Sequence, residues 1–122
     1  MIIPTLRYAD APGAIDFLER AFGLERRHVT ENEDGTIAHA ELTHGRGMVM
    51  LGSAREGDAF STGRAVIYVV VDDPDALHDR AKAAGAEIVR GLVDQDYGSR
   101  EFAAADPEGN VWSFGTYDPF AA

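Results

Sequence analysis

Short β-like runs alternate along the chain with stretches of helical period, and the order repeats. The first run, Ile2–Tyr8, is rich in β-formers; the other, Ala65–Val71, is wholly apolar or aromatic, as a central strand would be. After each run an Asp is followed by a Pro in the first turn of a predicted helix, where a missing N–H costs nothing. Ile15, Leu18 and Phe22 then recur at i, i+3 and i+7, the buried stripe of a short helix, and Leu77, Ala81 and Ala84 do the same with smaller side chains. Gly23 and Gly85 stand where a left-handed cap residue is wanted. A further strand follows each helix, Glu25–Thr30 or Glu87–Leu92, and then a turn, Glu31–Gly35 or Asp94–Ser99. Each half closes on a hairpin: Thr36–Thr43 with Met48–Leu51, and Arg100–Ala104 with Val111–Thr116. The reversals Gly45-Arg-Gly47 and Asp106-Pro-Glu-Gly-Asn110 carry the residues that accept positive φ.

The two halves match residue by residue. Asp10-Ala-Pro12-Gly-Ala14-Ile15 recurs as Asp72-Asp-Pro74-Asp-Ala76-Leu77, an offset of 62 residues, and at that offset Ala21, Gly23 and Glu25 meet Ala83, Gly85 and Glu87. Met48-Val-Met-Leu-Gly52 matches Val111-Trp-Ser-Phe-Gly115 one residue further on. The pattern predicts a single α+β domain of two tandem βαβββ modules, forming a curved mixed sheet around a cleft with the helices on the outer face. Module one would span residues 1–52, a polar linker 53–63, module two 64–117 and a tail 118–122. A sheet covered by a helix on one face must use its bare face, and two such faces would enclose the natural ligand site of a small protein.

Composition narrows the function classes. One core suffices for 122 residues with 45% hydrophobic content, and no cysteine is present for disulfides, thiolate metal sites or a Cys nucleophile. Acidic residues outnumber basic ones 21 to 11, a net charge of −10, and no basic stripe suited to a phosphate backbone interrupts them. Nucleic acid is therefore not an expected partner. Nor is a membrane, since the longest apolar run is strand-sized rather than the roughly 20 residues of a spanning helix. No basic leader precedes the first strand, so a cytoplasmic protein is expected. The lone Lys82 among ten arginines reads as compositional bias. No nucleophile elbow or phosphate-binding Gly-rich loop occurs.

Several strings resemble one family. They are Pro4-Thr-Leu-Arg-Tyr-Ala-Asp-Ala11, His39-Ala-Glu-Leu42 with Met48-Val-Met-Leu-Gly52, and Tyr97-Gly-Ser-Arg100 with Asp106-Pro-Glu-Gly-Asn-Val-Trp-Ser-Phe114. With the paired βαβββ plan, they resemble the vicinal oxygen chelate superfamily of glyoxalases, bleomycin-resistance proteins and dioxygenases. The likeness runs from about residue 2 to residue 117 and is strongest to the small bacterial bleomycin-resistance branch. It implies a divalent metal held by four cleft-facing His, Gln or Glu side chains. Mapped here, those positions are Ile3 (or Pro4), Met50 (or Gly52), Val66 (or Ala65) and Ser113, none of them a competent ligand. No metal and no other cofactor is therefore expected.

Taking those positions as inward, strand alternation puts Thr5, Arg7, His39, Glu41, Met48 and Met50 on the cleft side, with Tyr68, Ser113, Arg100 and Phe102 from module two. Leu6, Tyr8, Val49, Leu51, Ile67, Val69, Trp112 and Phe114 would face the helices as core. His39 and Glu41 share a face, as an acid–base pair, half of a displaced metal site, or a polar pair in a solvated sheet. Arg7 and Arg100 would meet anionic groups of a ligand, or Glu41 and Glu101 within the protein. His28, His44 and His78 are expected in an outer strand, a hairpin turn and an exposed helix face, all solvated. The expected function is sequestration of a small organic molecule; the resemblance, with the acidic surface, implies a cationic antibiotic. The alternative is a lyase, isomerase or dioxygenase with a shifted metal site or none. The resemblance also implies a homodimer.

Overall fold

The computed structural model describes residues 1–121, so the last residue of the expected tail, Ala122, lies outside the described residues. Two compact units divide the chain, Met1–Gly63 and the part from Arg64 onward, and the loop after residue 53 packs with the first. Each unit is a βαβββ module, and the fold is α+β as expected. In module one, β1 (Thr5–Tyr8), α1 (Ala11–Phe22), β2 (Glu25–Glu31), β3 (Ile37–His44) and β4 (Gly47–Ser53) give a sheet ordered β1-β4-β3-β2. In module two, β5 (Val66–Val70), α2 (Pro74–Ala83), β6 (Glu87–Asp94), β7 (Arg100–Ala105) and β8 (Val111–Gly115) give β5-β8-β7-β6. The first strand of each module runs parallel to the last, and the other pairs are antiparallel.

Helix α1 starts where the Asp10 carboxylate accepts the Gly13 N–H at 3.0 Å. It stops at Gly23, whose φ of 73° lets its N–H reach the Glu19 carbonyl while Leu24 reaches back to Leu18. Seven of its twelve residues are buried, including Ile15, Phe17, Leu18 and Phe22. They cover Leu6, Tyr8, Ala40, Leu42, Val49 and Leu51, all buried and all on one face of the first sheet by register. Helix α2 starts the same way, with Asp73 accepting from Ala76 at 3.1 Å, but buries only Pro74 and Ala81. Among the described residues no helix is long and apolar enough to cross a membrane.

The Asp106–Asn110 reversal fixes the register of the second hairpin. The buried Asp106 carboxylate accepts the Glu108 and Asn110 N–H groups at 3.0 and 3.1 Å, the Asn110 amide, and the indole N–H of Trp112 at 3.1 Å. A carboxylate taken out of water is tolerable because donors surround it. Trp112 is thereby tied into the core, and Ala104 stands opposite it.

Candidate functional site

In module one the helix-covered residues leave Thr5 and Arg7 of β1, Met48 and Met50 of β4, and His39 and Glu41 of β3 on the bare face. Thr5 stands opposite Met50, and Met50 opposite Glu41. Thr5, Arg7, His39 and Met50 line a hollow of about 410 Å³ together with Phe60 and Thr62, which the loop after β4 brings over the sheet. Glu41 and Met48 share that face without lining the hollow.

The charges of this face are paired within the module. The Arg7 guanidinium donates to Asp58 at 3.3 Å and lies 5.4 Å from the centre of the Phe60 ring, so its partner is the loop carboxylate rather than Glu41. Glu41 takes the His39 Nε2 at 3.0 Å on one oxygen and Arg27 at 2.5 Å on the other. Hydrogen bonding to His39, then to Arg27, lowers the Glu41 pKa. Arg27 reaches it because β2 bulges between Arg26 and His28. The same bulge sets His28 opposite Glu41, so this exposed residue is not on an isolated outer surface: its ring lies 6.3 Å from His39, and its Nε2 pairs with the Thr30 hydroxyl at 2.9 Å.

In module two the bare face carries Val66 and Tyr68 of β5 and Val111 and Ser113 of β8, with Tyr68 opposite Ser113. Two expected site residues lie elsewhere. Phe102 is fully buried, stacks on Phe114 at 5.1 Å and meets His78 of α2 edge-on at 5.3 Å, so it belongs to the helix-covered core. Arg100, two residues earlier on the same face, binds Asp75 of α2 at 2.6 Å and Asp94 at 3.1 Å. Those partners, Asp75 first, raise its pKa. The cause is the hairpin register, which sets Phe102 against Phe114 and turns Glu101 to the bare face. His78, expected on an exposed helix face, instead turns inward against Phe102 and has a side chain only 17% exposed.

Glu101 is the residue that strand alternation missed. It is 5% exposed, opposite Gly115, and accepts the Tyr97 hydroxyl at 2.9 Å and the Gln95 amide at 3.4 Å. The signal was available in the five-residue turn Asp106–Asn110: pairing outward from it puts Ala103 opposite Ser113, and then Glu101 on the side of Ser113.

A family model for the Glyoxalase/Bleomycin resistance protein/Dioxygenase superfamily matches residues 3–114. The chain belongs to this superfamily. An uncharacterized Mycobacterium bovis protein, Mb0911c, is 35% identical over 121 residues, covering 92% of this chain and 80% of the relative. The crystal structure of TioX from Micromonospora sp. ML1 superposes with a TM-score of 0.81 at 32% identity, over 100% of this chain and 99% of TioX. The fosfomycin resistance protein FosX of Mesorhizobium loti shares the fold, with a TM-score of 0.71 at 16% identity over 98% and 92% of the two chains.

The metal that superfamily membership implies can be tested against the donors present. Met50, Val66 and Ser113 stand on bare sheet faces, and Ile3 lies two residues before the start of β1. A thioether, two alkyl groups and a hydroxyl do not make a site for a hard or borderline divalent ion. Among the described residues no group of three or more His, Asp or Glu is arranged to hold a metal either. The residues do not fit the ion, and no chemical step is derived through it.

Proposed function

We propose that this protein binds a medium-sized, partly aromatic organic molecule on its bare sheet faces and withholds it without making or breaking bonds. One observation carries the reading: the positions from which the superfamily would draw metal ligands hold Ile3, Met50, Val66 and Ser113. A thioether next to a hollow edged by Phe60 suits apolar and aromatic contact, and Thr5, Arg7 and His39 supply a few orienting polar groups. The likeness to a protein named for fosfomycin resistance supports an antibiotic as the ligand class. A cytoplasmic homodimer is part of the same reading.

The test is thermal unfolding with bleomycin and aromatic cationic antibiotics, followed by mass spectrometry of each compound. A ligand that binds only the native state stabilises it by mass action, by about 2.7 kcal/mol at a hundredfold excess over Kd, and so raises the midpoint. The expected result is a raised midpoint with the compound recovered unchanged and no need for added metal. Conversion of the compound would overturn it, as would stoichiometric metal lost together with turnover in His39→Ala. That outcome favours an enzyme built on His39 and Glu41. Sedimentation and cell fractionation check the dimer and the compartment.

A further inference from the structure

Module two holds a carboxylate whose surroundings its own fold does not explain. Glu101 is almost fully withdrawn from water, and burying a charge is costly unless it is paired and bonded. Both of its hydrogen bonds, from Tyr97 and Gln95, fall on Oε1, and no basic group comes within ion-pair distance among the described residues. Arg90 on β6 acts electrostatically on Tyr97 without pairing with Glu101. Among the described residues the second oxygen, Oε2, takes no hydrogen bond. Among the described residues no fully enclosed side-chain polar atom lacks a partner, so Oε2 keeps an opening.

Three tyrosines are linked to one another and to this carboxylate. Tyr97 and Tyr117 meet edge to face at 6.2 Å, and Tyr68 donates its hydroxyl to the Tyr117 carbonyl at 2.7 Å. The buried Ser99 hydroxyl accepts the Tyr117 N–H at 3.1 Å, which pins the segment that carries this ring. All three tyrosines remain 40–58% exposed although each is held by a hydrogen bond or a ring contact. Below them β8 contributes Gly115. A Cβ there would stand 2.6 Å from the Tyr68 hydroxyl, 2.7 Å from Glu101 Cγ and 3.0 Å from Oε2, so the bare backbone is what lets both side chains lie down on the sheet.

We propose that this cluster is a cation subsite, in which the Glu101 carboxylate and the rings of Tyr68, Tyr97 and Tyr117 receive an organic ammonium group of the ligand. Aromatic faces attract a cation by their quadrupole, and the carboxylate completes the charge balance that the chain itself leaves open. An anion would be repelled, and a neutral group would leave the buried charge unmatched. The net charge of −10 adds long-range attraction for cations. The inference rests on the binding reading above and assigns its ligand a charge.

Titration with benzyltrimethylammonium, followed by calorimetry and by NMR of the tyrosine rings, tests it; benzyl alcohol serves as the neutral control. Tyr8, fully buried in module one, is the internal reference. Saturable shifts are expected at Tyr68, Tyr97 and Tyr117 and none at Tyr8, with benzyl alcohol at least tenfold weaker. Glu101→Gln keeps an acceptor for Tyr97 but removes the charge, and should weaken the cation at least tenfold. A folded Glu101→Gln that binds as well as the wild type would show that the carboxylate only braces its loop, and would overturn the proposal. If that variant does not fold, Tyr117→Leu decides: undiminished affinity overturns it. Unshifted tyrosines, or equal binding of benzyl alcohol, do so too. Shifts confined to Thr5 and Met50 would sink the cation subsite while leaving bare-face binding intact. A tyrosine response in a protein that converts its antibiotic would instead sink sequestration and leave the subsite standing.

Discussion

Modules one and two share a topology and a register but fill them with opposite chemistry. Thr5 opposite Met50 corresponds to Tyr68 opposite Ser113, and Arg7 opposite Gly52 corresponds to Val70 opposite Gly115. Continuing the β3–β4 register one residue beyond Ala40–Leu51 sets His39 opposite Gly52, where module two has Glu101 opposite Gly115. Module one pairs its charges internally, Arg7 with Asp58 and Glu41 with His39 and Arg27. Among the described residues module two leaves the Glu101 carboxylate without a paired cation. The helices differ as well: α1 buries a broad apolar stripe, whereas α2 presents small residues and a histidine. A repeated backbone thus specifies a scaffold, and the residues on its bare face decide what it can hold.

The largest difference between the modules is expected at the helices. Leu18 is fully buried in the middle of α1, so Leu18→Ala should lose about 2–5 kcal/mol, part transfer and part cavity. Leu77, the largest apolar residue of the α2 stripe and the counterpart of Ile15, is only half-buried and should lose about 1 kcal/mol on truncation. Urea unfolding of the two variants measures the difference. Equal losses would mean that α2 packs as heavily as α1, and that the contrast drawn from burial is wrong.

A smaller effect is expected from the two glycines at the strand ends. At Gly115 an added methyl meets Glu101 and Tyr68 side-chain atoms below 3.0 Å, whereas at Gly52 it meets the Ala38 carbonyl at 3.2 Å. Gly115→Ala should cost about 1–3 kcal/mol through overpacking and shift the Tyr68 and Tyr97 rings. Gly52→Ala should cost less and leave all four tyrosines where they are. Tyrosine ring spectra of the folded variants separate the two, and unmoved rings in Gly115→Ala would count against the packed floor described for module two.

The contrast between modules also explains which features could be read from sequence. The Asp-Pro helix starts, Gly23, the Asp106–Asn110 turn and the offset repeat are local chemistry with one backbone solution, and the elements appear within one to three residues of expectation. The faces of β1 and β4 were legible because the inward positions that the family resemblance supplies set the phase and regular two-residue alternation held there, with Leu6 and Tyr8 buried on either side of the half-buried Arg7. Strand β7 offers no such alternation. Glu101 through Ala105 are all buried, so Phe102 and Arg100 could be assigned to the wrong face by period alone, and only pairing from the turn corrects it. The His39–Glu41 pair followed from spacing, but Arg27 joined it through a bulge that leaves no mark in the sequence. The long-range partners Asp58 and Phe60 depend on where a loop packs, which no local pattern encodes.

The last and smallest effect concerns acid. Glu41 in module one and Asp75 in module two both have lowered pKa values, Glu41 chiefly through His39 and then Arg27, Asp75 through Arg100. A carboxylate held below its unfolded value stabilises the protein above that value and stops doing so as the pH falls through the lowered one. Each module should therefore lose a little stability between about pH 5 and about pH 3. Glu41→Gln and Asp75→Asn should each flatten the fall of the thermal midpoint over that range. Because both groups reach solvent, about 1 M salt should shrink both contributions by screening. Arg100 is the leading cause of the lowered Asp75 pKa, whereas Glu41 keeps His39 when Arg27 is lost, so Arg100→Gln should remove more of the acid slope than Arg27→Gln. Identical slopes in these two variants would mean that the charge networks of the modules are energetically equivalent despite their different wiring.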